Sequence, residues 1–147
     1  ELREELDGQL GAGSGAVFLS GEALTVRLPD KLLFAVGRAE LSEEGRPVLK
    51  KIALMLESSL RDCAVVVEGH TDDLPIARAL QYKYPTNWEL SAARASAAVV
   101  FLIERGVAPG RLSAVGRGET DAVADNETEQ GRAANRRIDI IIELNKE

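Results

Sequence analysis

The sequence has one cysteine, one histidine, one methionine and one tryptophan in 147 residues, and aromatics make up only 4% of it. A single cysteine, Cys63, forms no internal disulfide, so cysteine usage leaves the redox compartment open. A single histidine, His70, excludes a multi-histidine metal centre within one chain. The longest apolar run, Ala97 to Ile103, has seven residues, against the roughly 20 that a membrane-spanning helix needs. No basic stretch followed by an apolar one marks a signal peptide. Positive charge is in deficit, with 18 Lys+Arg against 24 Asp+Glu and a net charge of −6. That balance argues against general binding to a phosphate backbone, which rests on clustered cations. The chain opens on Glu1 rather than Met, so the reading expects a piece of a longer protein, with any membrane segment outside it.

Apolar residues are plentiful at 45%, which excludes a largely disordered chain. With few aromatics, Leu, Val, Ile and Ala must fill the core. The length suits one domain with a short appendage. Residues 1–15 read as that appendage. Glu1 to Leu10 is charged, with Leu2, Leu6 and Leu10 four apart, and is either a dimerising helix or a tail. Gly11-Ala12-Gly13-Ser14-Gly15 then breaks regular structure. Residues 16–147 read as the domain.

Ala16 to Leu19 and Leu24 to Leu28 read as short strands around a Ser20-Gly21-Glu22 turn, and Leu24, Val26 and Leu28 alternate with polar residues. Leu32 to Phe34 continues apolar into a loop. A helix is expected from Glu43 to about Leu60 with Ser42 as N-cap, although Pro47 favours a start nearer Arg46. Ala64 to Glu68 reads as a central strand buried on both faces. Gly69 to Asn87 is a long polar loop with Pro75, Tyr82, Tyr84 and Pro85, of the length that serves as a lid or a partner surface.

Thr86-Asn87-Trp88-Glu89 fits a capping box opening a helix to about Arg105. Ala92, Ala95, Val99, Leu102 and Ile103 are its expected buried stripe, and Gly106 and Pro109 end it. Leu112 to Arg117 is a further strand and Thr128 to Asn135 a short helix. Arg137 to Leu144 is a clean alternating strand. The order β–α–β–α–β–(α)–β is an α/β sandwich, with helices packed on a mixed sheet.

Three stretches stand out by residue choice. Glu68-Gly69-His70-Thr71-Asp72-Asp73 lies at the carboxyl end of a strand, where α/β folds commonly border ligand sites. Asn87 to Ala95 opens the long helix. Gly131-Arg132-Ala133-Ala134-Asn135-Arg136-Arg137-Ile138 enters the last strand. With Phe34-x-x-Gly37-x-Ala39-x-Leu41, these motifs resemble the OmpA-like peptidoglycan-binding family over about Leu24 to Leu144. Asp72-Asp73-Leu74-Pro75-Ile76 and Tyr84 to Leu90 are most similar to its MotB-like, stator-type branch. The chain departs from that branch at Asp73, where Asn is commoner.

The resemblance implies a two-layer α/β sandwich and a nonenzymatic, cofactor-free anchor. Its ligand would be the meso-diaminopimelate of the peptidoglycan stem peptide. The family's binding pair falls on Asp72 and Arg94, with Thr71, Asn87 and Leu90 on the rim. It further implies a periplasmic domain, tethered to the inner or outer membrane through a missing N-terminal segment. A homodimer is implied because stator-type relatives pair. The ligand chemistry agrees: a diaminopimelate end carries an ammonium, which suits a carboxylate, and a carboxylate, which suits a guanidinium fork. On a helix capped by Thr86, Arg94 shares a face with Asn87 and Ser91 and is expected to lie away from the apolar stripe, surface-facing and free for ligand. A mutual Asp72–Arg94 salt bridge in the empty site is compatible with this.

Blander readings stand beside these. Arg136 either supports the ligand carboxylate or braces the loops. His70 is more often a packed strand-end histidine than a catalyst or metal ligand. Cys63 is expected as a small buried hydrophobe, and Trp88 as packing for the helix start. Arg136 and Arg137 look like a basic patch, but the acidic balance of the domain argues against nucleic acid as a partner. Two rivals remain, a cell-wall hydrolase using Asp72 or Asp73 and an interaction module without wall binding. A glycosidase wants two carboxylates flanking a cleft, and in the family pattern one carboxylate is matched with an arginine.

Overall fold

A computed structural model describes residue 4 and residues 15–144. The alternatives for Glu1 to Leu10, and most of the 1–15 lead-in, lie outside the described residues.

The described chain begins with a hairpin, β1 (Ala16–Ser20) and β2 (Ala23–Pro29). A single helical turn, α1 (Asp30–Leu33), follows where a loop was expected. Pro29 precedes it in extended backbone, and Phe34 then bridges Leu41. Helix α2 spans Gly45–Leu56, shorter than the expected Glu43 to Leu60. Pro47 sits within the first turn, where backbone N–H groups lack helical partners anyway. Ser42 precedes the cap residue Glu44, yet its hydroxyl accepts from the Gly45 N–H at 3.0 Å.

Strand β3 (Ala64–His70), helix α3 (Asn87–Glu104), strand β4 (Leu112–Gly116), helix α4 (Glu129–Asn135) and strand β5 (Arg137–Glu143) complete the order. The sheet runs β1-β2-β5-β3-β4, antiparallel except for the β3/β4 pair. It is the expected mixed sheet, with five strands because the opening hairpin supplies two. The central strand is β5. Strand β3 is not buried on both faces: Val65 and Val67 are buried, while Val66 and Glu68, which alternate with them, are only partly covered.

One sheet face carries Leu24, Val26, Leu28, Val65, Val67, Ile138, Ile140 and Ile142 into a core closed by Leu49 and Ile52 of α2 and Ala95, Ala98 and Leu102 of α3. The buried stripe of α3 also takes in Leu90, Ser91, Arg94 and Phe101, whereas Ala92 is exposed and Val99 and Ile103 are half-buried. Cys63 is half-buried against the core and free.

The other sheet face holds charge. Arg27, Asp139 and Glu68 lie in one row across β2, β5 and β3. Arg27 grips both Asp139 oxygens, at 2.8 and 3.0 Å, and Arg137 Nε donates to Oδ2 at 3.1 Å. Arg137 therefore belongs to no exposed basic patch. It is 2% exposed, and its other nitrogens donate to the Asn135 and Asp121 carbonyls. Burial pushes the Asp139 carboxyl up, but hydrogen bonds and fields from Arg27 and Arg137 win and hold it below the usual range.

The long loop is less free than its composition suggests. Ile76 and Tyr84 bury themselves against Leu90 in a second small core. A 3-10 turn at Arg78–Leu80 and a bond from Gln81 Nε2 to the Ile76 carbonyl shape it further. It forms a wall of the fold rather than a detached lid.

Candidate functional site in a charged cavity

The sheet register gathers the site. Pro29, Arg137 and His70 stand side by side on β2, β5 and β3. Their chain neighbours Asp30, Arg136 and Thr71 therefore emerge together past one sheet end. Helix α3 is brought to the same end by two glycines. Gly69 and Gly116 are register partners, and a β-carbon at Gly69 would collide with the Ser91 carbonyl oxygen. One at Gly116 would lie 2.6 Å from the Ala92 nitrogen. The first turns of α3 thus rest directly on sheet backbone. Thr86 accepts from the Trp88 N–H and Glu89 from the Thr86 N–H, forming the capping box that starts the helix there.

A cavity of about 410 Å³ opens at this end. Thr71, Asp72, Asn87, Leu90, Arg94 and Arg136 all line it, as do Asp30, Lys31 and Phe34. Its remaining wall is largely apolar, from Val36, Leu74, Pro75, Ile76 and Leu80. Asp73 is not among the lining residues.

Asp72 and Arg94 each pair with a different partner. Asp72 does not meet Arg94. Its Oδ2 accepts from Arg136 Nη1 at 2.7 Å, and its Oδ1 from the Leu74 N–H at 3.0 Å. Arg94 is not surface-facing either, being 5% exposed. Its Nη1 donates to Asp30 Oδ2 at 2.8 Å, its Nε to the Arg38 carbonyl at 2.8 Å, and its Nη2 to the Ala35 carbonyl at 3.5 Å. Its guanidinium also lies over the Phe34 ring, 5.0 Å from the centroid. The reason is long-range: the segment from Asp30 to Arg38 folds over this turn of α3 and supplies acceptors.

Arg136 joins the two halves. Besides Asp72 it donates from Nη2 to Glu129 at 2.6 Å, and its Nε lies 4.0 Å from Asp30 Oδ1. Burial lowers its proton affinity, but Glu129, Asp72 and Asp30 outweigh burial and raise it. The order Arg94–Asp30–Arg136–Asp72 is an alternating chain of charges along the cavity.

The other predicted residues brace this chain. Asn87 Nδ2 donates to the Leu74 carbonyl at 3.0 Å and to Glu119 Oε1 at 2.9 Å. Thr71 Oγ1 donates to the Asp72 carbonyl, and the Thr71 N–H to the Gly118 carbonyl, both at 2.8 Å. Trp88 packs over Gly118 yet is 54% exposed. Asn135 is fully buried: its Oδ1 accepts from Val123 and Ala124, and its Nδ2 donates to the Ala124 carbonyl and Asn126. It ties the 119–127 loop to the end of α4.

His70 is packed beneath the site. Its Nε2 donates to Glu68 Oε1 at 3.1 Å, and its buried Nδ1 finds no partner among the described residues. Burial first, then the nearby Arg137 charge, lowers its proton affinity against the opposing pull of Asp139 and Glu68. Glu68, His70 and Asp121 bring one ligating atom each within 4.8 Å of one another. Glu68 already accepts there from Arg117 at 3.2 Å.

Sequence reading missed Asp30 and Glu129 as members of the site. The available signal for Asp30 was an acidic residue directly after Pro29, at the end of a strand.

Residues 33–136 match the OmpA family. Motility protein B of Bacillus subtilis is 33% identical over 126 residues, covering 84% of this chain and 46% of that protein. The chain spans about half the length of the curated relatives it matches. Among solved structures, the cell wall anchor of the T6SS from Pseudomonas aeruginosa superposes with a TM-score of 0.87 at 35% identity, covering 98% of this chain and 97% of that one. The periplasmic domain of Helicobacter pylori MotB gives 0.79 at 26% identity, covering 91% and 81%. The chain belongs to the OmpA family.

Proposed function

We propose that this chain is a noncatalytic, noncovalent anchor to peptidoglycan, and that its cavity takes the diaminopimelate of a stem peptide. The carrying observation is the alternating row Arg94–Asp30–Arg136–Asp72 beside an apolar wall. Such a row suits a ligand that presents an ammonium and a carboxylate together on an aliphatic chain. Thr71, Asn87 and Leu90 shape the rim. The similarity to a cell wall anchor and to motility protein B supports the same reading.

The anchor works in the periplasm and forms part of a membrane-tethered, MotB-like or OmpA-like protein. It is held through a segment preceding residue 16 and paired with a second copy. The similarity to a periplasmic domain, and the longer chains of the relatives, support this placement.

The test is co-sedimentation with purified diaminopimelate-containing sacculi, with assay of the supernatant for released muropeptides. The expected result is binding without release, competed by meso-diaminopimelate. A folded Asp72→Ala variant is expected to bind about 30-fold more weakly or worse, the usual cost of truncating one member of a charged hydrogen-bonded pair. Released muropeptides favour the hydrolase. Failure of the parent chain to sediment with sacculi favours an interaction module.

A further inference from the structure

The chain's single tryptophan, Trp88, is 54% exposed at the start of α3, yet its position is tightly fixed. Its N–H donates to Thr86 Oγ1 and its carbonyl accepts from Ser91 Oγ, both at 3.2 Å. A β-carbon at Gly118 would lie 3.3, 3.5 and 3.6 Å from Cδ2, Cε2 and Cε3 of the indole. Cδ2 is a ring-fusion carbon with no edge hydrogen, so the ring meets Gly118 with its face. Gly118 has a φ of +58°, which suits glycine. It is held in turn: its N–H donates to Ser91 Oγ at 2.9 Å, and its carbonyl accepts from the Thr71 N–H at 2.8 Å. With one face seated on this turn, the exposure of the indole belongs to its opposite face and its rim.

This platform adjoins the charged cavity without lining it. Asn87 and Thr71 line the cavity and Trp88 does not. Asn87 Nδ2 donates to Glu119, the residue after Gly118, so the cavity rim and the seat of the indole are one connected piece. An aromatic face held in place beforehand suits the apolar C–H face of a pyranose ring, because little ordering is left to do on binding. Peptidoglycan carries such rings close to its diaminopimelate. A dipeptide and a lactyl ether separate the two, on the order of 10 Å of extended chain. A platform one residue along from the cavity rim lies within that reach.

Resting on the peptidoglycan reading, we infer that the open face of Trp88 stacks on a sugar ring of the glycan strand. The chain then grips glycan and stem peptide together, at separate places on α3.

The test has two arms. Trp88 is the only tryptophan, so its emission reports on this ring alone. The unaltered chain is titrated with the disaccharide-linked tripeptide that ends in meso-diaminopimelate, and separately with the same tripeptide lacking sugars. The sugar-bearing probe is expected to shift the emission and shield it from acrylamide quenching, and the bare tripeptide to do neither. In the second arm, Trp88→Ala and Trp88→Phe are assayed on sacculi with circular dichroism as the folding control. Folded Trp88→Ala is expected to bind sacculi about two- to tenfold more weakly, with unchanged affinity for the bare tripeptide. Trp88→Phe is expected to recover part of the loss.

If both probes change the emission alike, or folded Trp88→Ala holds sacculi as tightly as the parent, the inference fails and the anchor reading stands. If Trp88→Ala does not fold, the emission arm on the unaltered chain decides. If the parent binds neither sacculi nor the bare tripeptide, both readings fail.

Discussion

Gly69 of β3 and Gly116 of β4 are register partners, and the first turns of α3 lie across both of them. The contact sets the height of the helix that carries Asn87, Leu90 and Arg94 over the sheet end. Gly69→Ala is expected to cost about 1–3 kcal/mol, because the added methyl meets the rigid Ser91 carbonyl rather than a side chain that can move. Urea denaturation measures this. An unchanged midpoint would show that α3 has room to rise.

Arg94→Ala is expected to destabilise the fold as well as disturb the cavity. The change leaves Asp30 without its 2.8 Å partner and frees the Ala35 and Arg38 carbonyls. Breaking a pair this well covered costs about 3–5 kcal/mol. Arg94→Lys is expected to recover only part of it, since an ammonium lacks the planar fork that serves all three acceptors. Thermal and urea unfolding check this. A variant as stable as the parent would make Arg94 dispensable to the fold.

Tyr84→Ala is expected to cost about 2–4 kcal/mol, because it empties the small core shared with Ile76 and Leu90. The effect concentrates in the loop that walls the cavity. Amide hydrogen exchange is expected to rise across residues 74–84 while β5 stays protected. Uniform loss of protection would show that this core is not a separate unit.

The pH dependence of stability follows from His70 and Asp139. Folding lowers the His70 pKa, so the unfolded chain takes up the proton first. Its contribution is fully present above the unfolded value of about 6.5 and declines as pH falls from there toward the lowered folded value. Asp139 is also held low in the folded state, so its contribution is present above the unfolded value of about 3.9 and is lost below it. Unfolding free energy measured from pH 7.5 downward, a range chosen to bracket those values, is expected to fall in two stages. His70→Gln is expected to remove the first. A variant with the parent's full slope near pH 6 would assign that stage to another group.

The local elements were legible where a short segment carries its own signal. Ile138, Ile140 and Ile142 alternate within one strand, and Thr86 with Glu89 specifies a helix start through contacts three residues apart. Even the membership of the cavity was partly readable, because Thr71-Asp72, Asn87-Leu90-Arg94 and Arg136 each sit in a recognisable motif at an element's end. Such signals depend only on backbone periodicity and neighbouring side chains.

Which charges would meet was not legible. Arg94 finds Asp30, and Arg136 finds Asp72, each across 64 residues of sequence. Both pairings depend on β2, β5 and β3 ending in one row and on α3 settling onto Gly69 and Gly116. Arg137 and Asp139 occupy the polar alternation of β5 and would read as solvated, yet both are buried, Asp139 in the grip of Arg27 on the neighbouring strand and Arg137 against Asp139 and the Asn135 and Asp121 carbonyls. Sequence by itself determined the elements and the chemical character of their ends. Tertiary structure chose the partners, because a charge–charge contact falls off with distance in space and takes no account of separation along the chain.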